Sequence, residues 1–133
     1  MARILLVDDM PSVTALLRAV LEDRGHNVVE VNDGAACLDL VNRGENFDAI
    51  VLDMMMPGVD GIETMRRLRA EGCDSAVIAM SGGTREFPAA ISLKMSEMYG
   101  ADRLLLKPFD NEELVAAIDD LLAERKSRDR GGR

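Results

Sequence analysis

The chain has 133 residues, 47% apolar and 30% charged, with no low-complexity tract, which suits one globular domain and excludes a disordered or fibrous protein. Its net charge of −8 argues against direct nucleic-acid binding, because an acidic body repels phosphates; the basic side chains gather late, with five positive against two negative in Glu124 to Arg133. No apolar run approaches the ~18 residues of a membrane span, and Met1 to Val7 leads into Asp8 and Asp9 rather than into a secretory signal, so a cytoplasmic protein without membrane insertion is expected.

Ile4-Leu5-Leu6-Val7 is a short, wholly apolar run, as expected of a strand covered on both faces. Pro11 and Ser12 open a helix whose apolar residues Val13, Leu16, Leu17, Val20 and Leu21 repeat at i, i+3, i+4, i+7, i+8, and Gly25 stops it. Val28-Val29-Glu30-Val31 is the second strand. Asn32 or Asp33 caps the next helix, with Cys37, Leu38 and Val41 facing inward before Gly44. Ala49-Ile50-Val51-Leu52 is the third strand and ends on Asp53. After a loop with Pro57-Gly58, Asp60 and Glu63 stand in capping-box spacing ahead of Ile62, Met65 and Leu68. Arg66, Arg67 and Arg69 read as the solvated face of that helix.

Ala76-Val77-Ile78-Ala79-Met80 is the fourth strand, followed by a loop at Ser81-Gly82-Gly83. A further helix carrying Ile91, Met95 and Met98 is predicted to end at Gly100. Arg103-Leu104-Leu105-Leu106 is the fifth strand, broken by Lys107-Pro108. The last helix starts at Asp110, again with a glutamate three residues on, and buries Leu114, Val115, Ile118, Leu121 and Leu122. Apolar strands alternating with amphipathic helices make right-handed βαβ units, hence an α/β fold with a doubly wound, five-stranded parallel sheet. The domain is expected over 1–123, with 124–133 as a basic, disordered tail. Aromatics are scarce, at 3%, so the core must be aliphatic with help from nine methionines.

The polar residues at the strand ends carry the chemistry. Asp8-Asp9 follow the first strand, Asp53 the third, Ser81 the fourth and Lys107 the fifth. In open α/β sheets, ligands bind beyond these carboxyl ends. Any one of these residues alone is what a solvated turn looks like; together they build one site. Three carboxylates on one edge repel one another unless a cation joins them, and Mg²⁺ suits a few carboxylates, a carbonyl and water. Asp53 could then act as nucleophile toward a phosphoryl donor, with Lys107 offsetting charge on the transferring oxygens and Ser81 donating to one of them.

This set, with Asp53-Met54-Met55-Met56-Pro57-Gly58-Val59-Asp60-Gly61 and Lys107-Pro108-Phe109, resembles the receiver domain of bacterial response regulators from about Ala2 to Ala123. The resemblance implies a flavodoxin-like (βα)5 fold with strand order 2-1-3-4-5 and Asp53 as phosphoacceptor. It implies Asp8, Asp9, Asp53 and the Met55 backbone carbonyl as Mg²⁺ ligands, and Ser81 and Lys107 as contacts to the phosphoryl group. It also makes Lys107-Pro108 a candidate cis peptide. The sequence departs from the family in three places. Leu104 stands where the family often has Tyr or Phe, the segment from Ser81 to Lys107 is longer than in chemotaxis-type members, and Met55 and Gly83 offer no acid or base.

The resemblance further implies a switch in a two-component system. A sensor histidine kinase or histidine phosphotransfer protein would dock near the first helix and donate to Asp53, altering binding to a downstream protein. Read as a stand-alone domain, it would signal through partner binding or pass the phosphoryl group onward as a relay; an unphosphorylated scaffold is the other alternative. It is not expected to be an enzyme beyond its own phosphorylation and dephosphorylation, because a phosphatase wants an acid two residues after the nucleophile, where Met55 stands. A flavodoxin-type cofactor site is disfavoured by Asp8-Asp9 in the first loop. Cys37 and Cys73 lack metal-ligand spacing and read as reduced thiols, His26 as a surface histidine, and Met54-Met55-Met56 as packing.

Overall fold

The computed structural model of the chain describes residues 2–54, 61–81 and 100–131, with side chains as far as residue 126. Five strands form one parallel sheet: β1 (Arg3–Val7), β2 (Asn27–Val31), β3 (Ala49–Asp53), β4 (Ala76–Ser81) and β5 (Arg103–Leu106). Their order is β2-β1-β3-β4-β5, as the resemblance implies. Four helices are described: α1 (Pro11–Asp23), α2 (Gly34–Asn42), α3 (Gly61–Ala70) and α4 (Asn111–Gly131). The predicted helix with Ile91, Met95 and Met98 lies outside the described residues.

The period of two along each strand splits the core into two layers. Ile4, Leu6, Val51, Ile78 and Met80 point to one face, where Leu17 and Leu21 of α1 and Leu114, Ile118 and Leu121 of α4 cover them. Leu5, Val7, Ile50, Leu52 and Val77 point to the other, under Cys37 and Leu38 of α2 and Met65 and Leu68 of α3. Central strands are therefore apolar without alternation, and β1, β3 and β4 are almost wholly buried. β5 is an edge strand of four residues and only half-buried.

Local signals set the helix ends. Pro11 occupies the first turn of α1, where its missing N–H costs nothing. The Asp33 carboxylate accepts from the Ala36 N–H at 2.8 Å, and the Asp110 carboxylate accepts from the Glu113 N–H at 3.0 Å. Gly25 takes φ +88° after α1, a left-handed conformation that a side chain would strain. Asp60, predicted to cap α3, is outside the described residues.

Three expectations change. Leu16, read as an inner-face residue of α1, is 56% exposed, because the apolar stripe is wider than the sheet surface beneath it. The domain edge expected at Ala123 is no structural break: α4 continues to Gly131. There Glu124 pairs with Arg103 at 2.7 Å, and Arg125 donates to the Asp74 carbonyl. Finally, Arg69 does not belong to the solvated face with Arg66 and Arg67, which are exposed and pair with Glu63. It turns under the end of α3 and donates to the carbonyls of Cys73, Ser75 and Gly100. Three backbone acceptors within reach outweigh hydration of a guanidinium whose fork matches them.

Candidate functional site at the carboxyl ends of the strands

Strand order brings together residues that are far apart in sequence. β1 pairs with β3 so that Val7 lies opposite Leu52, which sets Asp8 beside Asp53. β4 and β5 continue the same edge, with Ser81 opposite Leu106 and the Lys107 N–H donating to the Ser81 carbonyl at 2.7 Å. Of the residues predicted at the strand ends, Asp8, Asp9, Asp53 and Lys107 come together in one cluster, and Ser81 ends the strand on the same sheet edge. Asp8, Asp9 and Asp53 each offer an oxygen within 4.8 Å of the others. Asp8 and Asp53 are 1% and 4% exposed, whereas Asp9 faces outward.

The Lys107 ammonium reaches over this group, 3.4 Å from Asp8 Oδ2 and 3.7 Å from Asp53 Oδ2. Asp8 also accepts from the Met10 N–H at 2.9 Å through its other oxygen, which fixes the carboxylate against the start of α1. Ser81 is fully buried at the end of β4. The Lys107-Pro108 peptide is cis, as the resemblance suggested. Met55, expected to supply a carbonyl, lies outside the described residues.

Burying carboxylates side by side is costly unless positive charge joins them. Among the described residues one ammonium faces three carboxylates, less positive charge than would balance them. Clustered hard oxygens with one outward-facing member are a donor set that suits a small divalent cation keeping some of its water. The residues present therefore fit Mg²⁺.

Gly61 contributes a feature that composition alone does not announce. A Cβ there would fall well inside contact distance of the Met54 Cα and the Asp53 carbonyl oxygen. Only glycine lets the first turn of α3 abut the end of β3 so closely, and that contact fixes the backbone carrying Asp53. The signal in the sequence was the glycine itself, directly ahead of the amphipathic run Ile62, Met65, Leu68.

Beside the cluster, a cavity of about 630 Å³ opens between α1 and the segment after β5, lined by Val13, Leu16, Leu17, Pro108 and Phe109 with Lys107 at its edge. Exposed Leu16 is one of its walls. Among the described residues no helix is long and apolar enough to cross a membrane. His26, expected at the surface, is half-buried and accepts from the Ala2 N–H through Nδ1 at 3.2 Å. Cys37 is fully buried and Cys73 partly so, both as free thiols.

Residues 4–119 match the family described as the response regulator receiver domain. The chain is 39% identical over 122 residues to the transcriptional regulatory protein CpxR of Escherichia coli K12, an alignment covering 92% of this chain and 50% of that protein. With the response regulator MprA of Mycobacterium leprae it shares 40% identity over 127 residues, 96% of this chain and 54% of that one. The chain thus spans about half the length of the curated relatives it matches.

Among solved structures, the receiver domain of the Francisella response regulator 1452 superposes with a TM-score of 0.85 at 28% identity, covering 94% of this chain and 99% of that one. The response regulator TrrA of Thermotoga maritima, solved in complex with Mg²⁺–BeF, gives a TM-score of 0.76 at 28% identity over 91% of this chain and 99% of that one. With the sheet order, the acidic cluster and these likenesses in agreement, the chain belongs to the response regulator receiver domain family of bacterial two-component systems.

Proposed function

We propose that this domain is a phosphorylation-dependent switch that accepts a phosphoryl group on Asp53 from a histidine kinase or histidine phosphotransfer protein. The observation that carries this reading is the convergence of Asp8, Asp9 and Asp53 within 4.8 Å beneath the Lys107 ammonium. Asp8, Asp9, Asp53 and the Met55 carbonyl would hold Mg²⁺. When bound, that ion supplies charge compensation for the oxygens of the transferring group.

The chain's own groups do the rest. An Asp53 carboxylate oxygen attacks phosphorus as the bond to the donor imidazole breaks. Lys107, already bridging Asp8 and Asp53, exchanges one carboxylate contact for a phosphoryl oxygen, so its charge is in place before the reaction. The Ser81 hydroxyl donates to a second oxygen. The rigid sheet edge holds these groups in position, which is most of what phosphoryl transfer requires. Met55 brings no acid or base, so the domain catalyses only its own phosphorylation and hydrolysis and does not turn over outside substrates.

The apolar groove of α1, with Leu16 and Phe109, supports docking of the phosphodonor beside Asp53. The phosphoryl charge then shifts an equilibrium of surface conformations and changes affinity for a downstream protein in the cytoplasm.

Incubation with Mg²⁺ and acetyl phosphate followed by intact mass measurement tests the reading. A gain of one phosphoryl mass that requires the metal and is abolished in Asp53→Asn is expected. Rapid transfer of that group onward to a histidine protein would make the domain a relay intermediate. The absence of any adduct, with no response to beryllofluoride, would leave an unphosphorylated scaffold.

A further inference from the structure

Lys107 stands directly after β5, so its place over the aspartates depends on the register of that strand. The side chains of β5 do not define the register in one direction. Leu104 packs on the α2/α3 face and Leu105 on the α1/α4 face, while Leu106 is 40% exposed. A one-residue slip that brings Leu105 into the place of Leu104, and Leu106 into that of Leu105, keeps leucine at both packed positions within the strand; its charged cost falls ahead of the strand, where Asp102 would move into the place of Ala101. The opposite slip is blocked, because it would drive Arg103 into the apolar layer. The permitted slip sends the side chain of residue 107 to the other face of the sheet. The edge position leaves β5 bonded to β4 on one side, and among the described residues no second strand holds it.

Besides the surface pair of Arg103 with Glu124, what opposes the slip lies at the far end of the strand. Asp102 N–H donates to the Val77 carbonyl at 2.8 Å, and the Asp102 carboxylate accepts from the Val77 N–H at 2.8 Å, so one residue clasps both backbone groups of its neighbour on β4. Arg69 fastens this clasp. Its guanidinium donates to Asp102 Oδ2 at 3.1 Å, twice to the Gly100 carbonyl at 2.8 and 3.0 Å, and to the carbonyls of Cys73 and Ser75 at 2.9 Å each. α3, the entry to β4 and the entry to β5 thus meet on one side chain. Gly100 fits this junction because it sits at φ +97° and a Cβ there would run into Arg69.

We propose that Arg69 and Asp102 are positioning residues that lock the register of the leucine strand and thereby hold Lys107, roughly 16 Å further along at ~3.3 Å per residue, over Asp8 and Asp53. The register claim stands on this geometry, and its consequence for phosphorylation rests on the reading of Asp53 as acceptor. No contact between Arg69 and the reacting groups is involved.

Two readouts test it in the same variants: hydrogen exchange at the Lys107 amide, which is bonded to Ser81, and the rate of Asp53 phosphorylation by acetyl phosphate. Arg69→Ala should speed exchange at that amide and slow adduct formation, each about tenfold, the size expected when a charged hydrogen-bond partner is removed. Leu106→Thr in the Arg69→Ala background should restore both, because the slip would now place a threonine in the apolar site of Leu105. General loosening would not be rescued this way. Should Arg69→Ala fail to fold, Asp102→Asn, which keeps an oxygen for Val77 but gives up the charge, reads the same quantities at smaller amplitude. Wild-type exchange at Lys107 in Arg69→Ala, or no rescue by Leu106→Thr, overturns the proposal. A wild-type protein that takes no phosphoryl group, yet shows the exchange pattern and its rescue, would sink the acceptor reading and leave the register lock standing.

Discussion

The two ends of the sheet treat polar groups in opposite ways. At the amino ends of the strands, buried Ser75 and the exposed Asp48 and Asp102 each meet a complementary backbone group. Ser75 Oγ donates to the Phe47 carbonyl at 2.6 Å, the Asp48 carboxylate accepts from the Arg3 N–H at 2.8 Å, and Asp102 clasps Val77. At the carboxyl ends carboxylates are gathered against carboxylates, and Asp8 and Asp53 share one ammonium. The first end is built for stability, whereas the second, among the described residues, gathers more negative than positive charge, an arrangement that costs stability unless something binds. A polar residue at a strand end therefore says little by itself; whether its neighbours complement it or repeat it separates architecture from function.

Four experiments test this contrast. The largest effect is expected from Lys107→Ala. It removes the cation that, among the described residues, bridges the buried aspartates, so the initial rate of phosphorylation by acetyl phosphate should fall about a hundredfold. Next, Ser75→Ala at the opposite end leaves the buried Phe47 carbonyl without its donor. Urea denaturation should show a loss of about 1–3 kcal/mol, with the phosphorylation rate unchanged.

The third result should have the other sign. Asp53→Asn removes a buried charge from the repelling cluster, and without Mg²⁺ it should raise stability by about 1 kcal/mol. Adding Mg²⁺ should stabilise the wild type, by about 2.7 kcal/mol at a hundredfold excess over Kd, and stabilise Asp53→Asn much less. If neutralising Asp53 destabilises the metal-free protein, the contrast between the two ends fails.

The smallest effect under ordinary conditions comes from Cys37, whose thiol is pushed up from 9.0 to about 12, chiefly by burial and secondarily by Cys73. The unfolded thiol gives up its proton first, so stability that is fully present below pH 9 is lost as pH rises toward 12. Cys37→Ala should flatten that alkaline slope in a series of denaturation midpoints. Iodoacetamide should label partly exposed Cys73 well before Cys37 in the native protein, because burial both shields the Cys37 thiol and keeps it protonated.

Much of the fold was legible because its cues are local. Apolar tetrads such as Ile4 to Val7, the helical spacing from Val13 to Leu21, and caps such as Asp33 and Asp110 are each written within a few residues. The candidate site was legible for a related reason: Asp8, Asp53, Ser81 and Lys107 each follow directly on an apolar run. Arg69 was misread because its partners lie at Cys73, Ser75, Gly100 and Asp102, and nothing in the spacing of three arginines distinguishes one that turns inward. Leu16 was misplaced because periodicity gives the direction of an apolar stripe without the width of the surface it meets.

The alternation of strands and helices, the caps at Asp33 and Asp110, and the identity of the polar residue at the end of each strand are written in short stretches of sequence. Those depend on interactions between neighbours three or four positions apart. Tertiary contacts alone bring Lys107 to Asp8 across 99 residues, set Gly61 against the end of β3, and join Arg69 to Asp102 at the entry to β5. Such contacts follow from strand order and crossover geometry, which no short stretch of sequence contains.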